Sequence, residues 1–301
     1  MEAVKGDMQL TCWGARGSFP VSGPETMQYG GQTTCFSFQS TQAPEEMLIL
    51  DAGTGLYGLG QYLRTSPVQR IHLVLSHGHL DHVCGFPFFA PLFDSGYEVV
   101  LQAPSLSPGE LGSLTHALLH PPLSPITWDS VRARVRIKGP SEQKSVLAGW
   151  HLEAFPLHHP GEAVGVRCTD CSGYAAVILN DNELGVFPPK HWQRLVDFCA
   201  QADLLIHDAH FTDEEIQQAS GWGHSSPLQA AQLAQEAGVL HLGLAHHHPQ
   251  RSDAAVAWIE QRTQDWLARF PHPPSCSAIA AGWLQFPPLS RQNLGSVKIE
   301  D

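Results

Sequence analysis

The amino-acid sequence predicts an α/β fold, a four-layer sandwich in which two packed β-sheets carry helices on both outer faces. Short apolar runs bounded by Gly, Pro and polar turn residues dominate the first half of the chain, and such runs are typical of strands. Strand and helix patterns alternate at both ends of the chain. With 301 residues and 43% hydrophobic content, the chain can bury one sizeable core. We therefore expect a single domain over residues 1–301.

The predicted elements follow these patterns in order along the chain. The apolar runs predict strands at Gln9–Trp13, Thr34–Phe38, Met47–Asp51, Ile71–Leu75, Glu98–Gln102, Val131–Lys138, His151–Phe155, Ala163–Arg167, Tyr174–Leu179, Leu204–His207 and His241–Leu244. Helical periodicity predicts helices at Gly55–Arg64, Leu111–His120, Lys190–Gln201, Pro227–Ala237 and Asp253–Arg269. The fourth helix has the clearest ends, because Ser225 or Ser226 can cap it and Gly238 suits its exit.

The region Phe86–Pro140 is rich in Pro, Ser and His, as in "FPFFAPLFDSG" and "HPPLSPITW". We interpret it as an insertion that covers one end of the sandwich as a cap, not as a second domain. Phe86 and Phe88 within it could stack on a base of a substrate, or they could pack in a core beneath the insertion.

Charge and composition restrict the partners. A net charge of −12 with only 17 Lys and Arg residues, which form no run, disfavours a large polyanion such as nucleic acid. No apolar stretch reaches membrane-spanning length and the first residues lack the apolar segment of a signal peptide, so we expect a cytoplasmic location and no membrane partner. Seven scattered cysteines, an odd number, indicate reduced thiols. The 18 histidines are a compositional sign of metal binding.

The clearest motif is "SHGHLDH", directly after the strand predicted at Ile71–Leu75. His77 and His79 are two residues apart on a loop, so both can reach one ion. Asp81 and His82 follow and can face a second ion beside it. Two divalent cations about 3.5–4 Å apart are the usual arrangement for hydrolysis of phosphate esters. The motif therefore predicts half of a two-metal site.

This string resembles the signature of the metallo-β-lactamase superfamily, and the resemblance extends from end to end of the chain. It implies a third histidine for the first ion, a bridging aspartate, and a final histidine for the second ion. The resemblance places them at His159 in "LHHPGEAV", at Asp181 in "VILNDNEL" and at His246 in "LGLAHHHP". The roles of the neighbouring histidines stay open: His158, His247 and His248.

Other segments resemble the phosphodiesterase-like branch of this superfamily, which includes transfer-RNA 3′-end nucleases and cyclic-nucleotide or phosphonate-pathway phosphodiesterases. They are "WGARGSFPVSGPETMQYGGQTTCF", "LLIHDAHFTDEE" and "GWGHSSPLQAAQLAQEAGVLHLGLAHHHP". In this branch the histidine at the position of His224 points at the scissile phosphate without binding metal. Asp208 could orient His224 or be a turn residue, and Asp51 could support a ligand histidine or end a turn. Arg16 could meet a phosphate oxygen or form a structural ion pair.

The resemblance implies a binuclear metal-dependent phosphodiesterase. A hydroxide held between the ions would attack phosphorus, with Asp81 steering it and His224 helping the leaving group depart. We expect two divalent ions, Zn²⁺ first, with Mn²⁺ or Fe²⁺ as alternatives. No basic arm for gripping transfer RNA is evident, so a small phosphodiester such as a cyclic nucleotide is the favoured substrate.

Rival functions stay open at this point. The same metals could hydrolyse a carbon ester, lactone or thioester, since a shared fold does not give the reaction. An RNA-processing nuclease of the same branch is a further alternative, and so is a non-catalytic domain that retains the metals. A homodimer is compatible with each of these functions.

Overall fold

Two β-sheets packed face to face form the centre of the computed structural model, which describes residues 8–139 and 144–281. The first sheet has the strand order β1-β2-β3-β4-β5-β6, and the second has β13-β12-β11-β10-β9-β8-β7. The strands of the first sheet are β1 (Met8–Gly14), β2 (Cys35–Ser40), β3 (Glu46–Leu50), β4 (Arg70–Val74), β5 (Glu98–Gln102) and β6 (Arg134–Lys138). Those of the second are β7 (Lys144–Leu147), β8 (Trp150–Pro156), β9 (Val164–Thr169), β10 (Ala175–Leu179), β11 (Leu204–Asp208), β12 (His241–Ala245) and β13 (Ser275–Ala278).

Helices cover the outer faces of both sheets. They are α1 (Gly55–Leu63), α2 (Leu80–Val83), α3 (Pro108–Leu118), α4 (Pro189–Cys199), α5 (Pro227–Ala237) and α6 (Asp253–Leu267). Buried leucines of α1 and α3 pack with the outer face of the first sheet, and apolar residues of α4, α5 and α6 pack with that of the second. A third apolar cluster fills the space between the sheets, where Phe38 meets Trp150 edge to face. The predicted four-layer sandwich is confirmed.

The helix α5 shows how local sequence sets an element's ends. Ser226 caps it by accepting from the backbone of Gln229, whose side chain accepts in return from the backbone of Ser226. Pro227 occupies the first turn, where no amide donor is needed. Gly238 ends the helix at φ 62°, a left-handed conformation that favours glycine. The bounds predicted from the sequence are therefore those observed.

The region interpreted as a cap is largely part of the sandwich. The strand β5 lies inside the first sheet between β4 and β6, and both β5 and β6 belong to Phe86–Pro140. The helix α3 from the same region packs on that sheet. The prediction of a covering insertion is corrected because its two strands complete the sheet, while Pro140 itself lies outside the described residues.

The parallel strands of each sheet end at a common edge, where the candidate functional residues lie. Strands β3 to β6 run parallel in one sheet, and β10 to β13 run parallel in the other. Their carboxyl ends therefore place the residues that follow them at common edges of the sandwich.

Within the described ranges, no helix is both long and apolar enough to cross a membrane. The cytoplasmic location stays a prediction.

Candidate metal centre

The site lies where several strands end, and three of the residues there have an unusual backbone conformation. Asp51 follows β3, Asp181 follows β10 and His246 follows β12, each in a left-handed conformation with φ of 65°, 54° and 55°. Residues other than glycine adopt this region rarely, and such strain collects at functional sites. Sharp exits from the strands thus turn these side chains toward one another.

The first group of predicted ligands comprises His77, His79 and His159, whose ligand-type nitrogens lie within 4.8 Å of one another. His159 Nε2 is 3.0 Å from His79 Nδ1. His159 donates from Nδ1 to the carbonyl of Gly223 at 2.9 Å, so its Nε2 is the unprotonated nitrogen of the neutral ring and faces the group. His77 Nδ1 contacts Ser76 Oγ at 3.1 Å, and its buried Nε2 has no hydrogen-bond partner in the described chain.

The second group comprises Asp81, His82 and His246, with Asp181 between the two groups. His246 Nε2 lies 3.3 Å from an oxygen of Asp81 and 3.2 Å from one of Asp181. Asp181 is also 2.7 Å from His82 Nε2 and 3.8 Å from His159 Nε2. It is thus the carboxylate that reaches both groups, which is the place the sequence predicts for a bridge.

The chemistry of these side chains fits divalent cations. His82 Nε2 and Asp181 Oδ2 are 2.7 Å apart and buried, yet neither makes a hydrogen bond of acceptable geometry within the described residues. Burial would raise the pKa of Asp181, but His246 and His82 hold it well below its usual value. Burial and the neighbouring His82 lower the pKa of His77. Burial alone would lower the pKa of His82, but Asp181, Asp81 and Asp51 raise it well above its usual value. Ionised carboxylates and neutral imidazoles are the forms that bind metal, so a cation bound here would replace the proton of His82. The structure brings all seven predicted ligands together, and metal binding by them is a proposal.

Asp51 supports two of these histidines. It accepts from His82 Nδ1 at 2.9 Å and from the Ser76 hydroxyl at 3.0 Å, and that hydroxyl is the group next to His77 Nδ1. The backbone amide of Ser76 donates to the other oxygen at 2.7 Å. Carboxylates bonded in this way fix the ring orientation of ligand histidines. The geometry favours the supporting role over a turn role for Asp51.

His224 and Asp208 form a close pair beside the two groups. His224 Nδ1 donates to Asp208 Oδ2 at 2.6 Å and lies 3.6 Å from Asp181 Oδ1. Burial alone would lower the pKa of His224, but the carboxylate of Asp208, helped by Asp181 and Asp81, raises it to about 9. Asp208 is fully buried and also accepts from the backbone amide of His210. The pair has the geometry of a proton donor and the residue that orients it.

Two residues near this pair were not singled out from the sequence. His210 is buried, donates from Nδ1 to the carbonyl of His246 at 3.0 Å, and stacks on His224 with ring centroids 4.4 Å apart. Glu183 is buried behind the loop that carries His224. The only sequence signal for His210 is its place in "HDAHF", two residues after Asp208.

The histidines that the motifs left open have different surroundings. His247 is buried and donates a hydrogen bond from Nε2 to the carbonyl of Ile279 at 2.9 Å, so its role is structural. His248 is half-buried, with its ring centroid 4.6 Å from that of His210. His158 is half exposed and its Nδ1 lies 4.0 Å from Glu183.

A cavity of about 750 Å³ opens beside the first group. Its lining includes His158, His159, Glu162 and Gly221, together with prolines and small apolar residues from the ends of β5, β8 and β9. A volume in this range accommodates a small organic ligand. The cavity therefore places a substrate-sized space next to the candidate metal groups.

The three residues considered for substrate binding lie in different environments. Phe86 is 1% exposed and packs in the core under the first sheet, so its core role is the observed one. Phe88 is 62% exposed and lines a separate cavity of about 350 Å³. Arg16 is 1% exposed and its guanidinium donates to the carbonyls of Gly30, His248 and Arg251. Arg16 thus joins two loops, and the geometry favours a structural role over a phosphate contact because its guanidinium is buried and donates to backbone carbonyls.

Replacement of Arg16 is expected to reduce stability and to leave substrate affinity unchanged. Arg16→Ala leaves three carbonyls without their donor, so we expect the free energy of unfolding to fall by about 3 kcal/mol. Urea unfolding monitored by circular dichroism measures this loss, with Arg64→Ala on the exposed face as the control. An unchanged unfolding midpoint with a raised KM would contradict the structural role.

Comparison with known proteins shows which family and which folds this chain resembles. A model of the β-lactamase superfamily domain matches residues 47–247. Ribonuclease Z of Haloferax volcanii is 25% identical over 251 residues, which cover 67% of this chain and 75% of that protein. The metallo-β-lactamase fold protein YhfI from Bacillus subtilis superposes with a TM-score of 0.65 at 19% identity, covering 92% of this chain and 98% of that one. A diphosphatase from the PhnP family superposes with a TM-score of 0.62 at 16% identity, covering 93% and 97%.

Proposed function

We propose that this chain, which belongs to the β-lactamase superfamily and is a metal-dependent hydrolase of its phosphodiesterase-like branch, cleaves small phosphodiesters. The observation that carries the proposal is the pair of His224 and Asp208, 2.6 Å apart and in contact with the candidate bridge Asp181. Hydrolysis of a lactone or thioester on the same metals gives this pair no evident task, whereas a phosphodiester needs help for its departing oxygen.

The first ion would be held by His77, His79 and His159, and the second by Asp81, His82 and His246, with Asp181 shared. Two divalent ions, Zn²⁺ first, would supply Lewis acidity and a nucleophile at neutral pH. Their number and identity belong to the proposal.

The protein's own residues would do the remaining chemistry. Asp81 accepts from the backbone amide of Ser18 at 2.8 Å, which fixes its carboxylate to orient the nucleophile. His224 would stabilise charge on the phosphoryl oxygens or protonate the leaving oxygen, and Asp208 holds its ring in place.

The preference for a small diester rests on shape and charge. The link between β10 and β11 is occupied by the short helix α4, with no basic arm among the described residues there. The cavity beside His159, about 750 Å³, is large enough to hold one substituent of a small phosphodiester. The net charge of −12 works against a long polyanion.

RNA is the second candidate substrate, because relatives are named Ribonuclease Z and one strand is basic. Arg132, Arg134, Arg136 and Lys138 fall on or just before β6, four of the 17 basic residues. These four residues alternate with other residues along the chain and so form no consecutive run. Glu98 lies 3.2 Å from Arg136 and 3.8 Å from Arg134, which partly offsets their charge.

Parallel assays of four substrates test the proposal. Protein loaded with zinc or manganese is given bis(p-nitrophenyl) phosphate, a lactone, a thioester and a precursor transfer RNA, with His77→Ala/His79→Ala as the blank. We expect diester turnover that disappears in the blank and weak action on the RNA. Turnover confined to the lactone or thioester would refute the diesterase, and RNA cleavage at higher kcat/KM than the diester would favour the second candidate.

A further inference from the structure

The loop Gly221–Gly223 connects the cavity to the candidate catalytic histidine. Gly221 lines the cavity beside the first group of ligands. Gly223 accepts from His159 Nδ1 through its carbonyl, and His224 follows directly. Trp222 lies between the two glycines and is 68% exposed. A large aromatic side chain is thus exposed to solvent one residue away from the cavity lining and two residues before His224.

Hydrogen bonds to a buried carboxylate anchor this loop. The buried carboxylate of Glu183 accepts from the amide of Gly221 at 2.8 and 3.0 Å and from that of Gly223 at 2.9 Å. Both glycines have positive φ, 84° and 81°, and a Cβ on Gly223 would lie 2.2 Å from His159 Nδ1. Burial of a carboxylate is costly unless it is hydrogen-bonded, and here the hydrogen bonds come from two backbone amides of this loop, with His158 Nδ1 4.0 Å away. The structure therefore fixes the backbone on which Trp222 stands.

The cavity limits what such a residue can recognise. No lysine or arginine is among the cavity-lining residues in the described part of the chain, and Glu162 adds a negative charge. The lining thus offers no permanent positive charge to a second anionic group. Most of the lining is proline and small apolar side chains. A flat, uncharged aromatic group satisfies these conditions, whereas a second phosphate does not.

We infer that Trp222 stacks on the nucleobase of a nucleoside phosphodiester and so selects base-bearing substrates, an inference that rests on the proposed diesterase function. Base–aromatic stacking tolerates any base, because every base has a π-face. The anchored loop lowers the entropy lost on binding, since the platform is already in place.

Kinetics on two esters that differ in the base test the inference. Thymidine 5′-(p-nitrophenyl) phosphate carries a base, and methyl p-nitrophenyl phosphate does not. We expect Trp222→Ala to lower kcat/KM for the thymidine ester by about tenfold or more, the effect of one lost stack, and to change the methyl ester less than twofold. Trp222→Phe should restore most of the loss. Trp258→Ala, at an exposed tryptophan of α6 that is 51% exposed, is the matched control.

The outcomes separate this inference from the proposed function. Equal losses on both esters would assign Trp222 a structural role only, and unchanged rates on both would exclude contact with the substrate. Wild-type protein that cleaves neither ester would contradict the diesterase instead. Calorimetry then decides the inference: metal-loaded wild type and Trp222→Phe should bind thymidine 5′-monophosphate more tightly than methyl phosphate, and Trp222→Ala should not. Equal binding of both ligands by the wild type would overturn it.

Discussion

Replacement of Asp181 by Asn is expected to lower kcat/KM for a phosphodiester by more than about 100-fold and to weaken retention of the second metal equivalent. Asp181 lies 2.7 Å from His82 Nε2, 3.2 Å from His246 Nε2 and 3.8 Å from His159 Nε2, so its carboxylate approaches both ligand groups. Replacing a residue that only supports a metal ligand typically lowers metal affinity or activity about 10–100-fold. Replacing the carboxylate shared by both groups should therefore have a larger effect. Metal content by atomic emission and steady-state kinetics measure the two effects.

The control for this variant is another aspartate of the same sheet. Asp170 is buried and accepts from the amides of Ser172 and Tyr174 in the turn between β9 and β10, at the opposite end of β10 from Asp181. Asp170→Asn should therefore lower stability without altering metal content or kcat/KM. An Asp181→Asn protein with full metal and full turnover would remove Asp181 from the proposed bridge.

Replacement of His224 by Ala is expected to lower the rate about 10²–10⁴-fold while the metal content stays that of the wild type, because His224 assists the leaving group without being a proposed ligand. The loss should be larger for an alkyl ester than for a p-nitrophenyl ester, since a poor leaving group depends more on a proton donor. Asp208→Asn should follow the same trend, because Asp208 orients the ring from 2.6 Å. Metal analysis and kcat on the two esters separate these effects.

His241→Ala is the matched control for His224. His241 begins β12, at the opposite end of that strand from His246, and contacts the hydroxyls of Ser275 and Ser277. It should retain both the rate and the dependence on leaving group. If His224→Ala lost metal together with activity, His224 would be a ligand and its proposed role in leaving-group departure would be wrong.

The fold was predictable where side chains alone define an element. The strands β4, β5 and β12 are apolar runs, and the ends of α5 follow from Ser226 and Gly238. The strands β7 and β13 and the helix α2 were not predicted. The strand β13, "SCSA", contains no apolar run and is held by parallel pairing with β12. The helix α2 is only four residues long and depends on its surroundings.

The candidate ligands were predictable for a related reason. Each follows a strand or belongs to the motif after β4, and parallel strands place their carboxyl ends at one edge. Arg16 was not predictable in this way, because its carbonyl partners at His248 and Arg251 are 232 and 235 residues away in sequence. The anchoring of Gly221 by Glu183, 38 residues earlier, is equally invisible to local pattern. Composition also misled the prediction of a cap, since Pro- and His-rich loops surround two true strands of the sheet.

The central claim is that two metal ions held by these seven residues support phosphodiester hydrolysis. The most direct test is titration of metal-free protein with Zn²⁺ while hydrolysis of bis(p-nitrophenyl) phosphate is followed. The account predicts no turnover without metal and a rise that is complete only at two equivalents per chain. Full turnover at one equivalent, or any turnover that survives complete removal of metal, would contradict it.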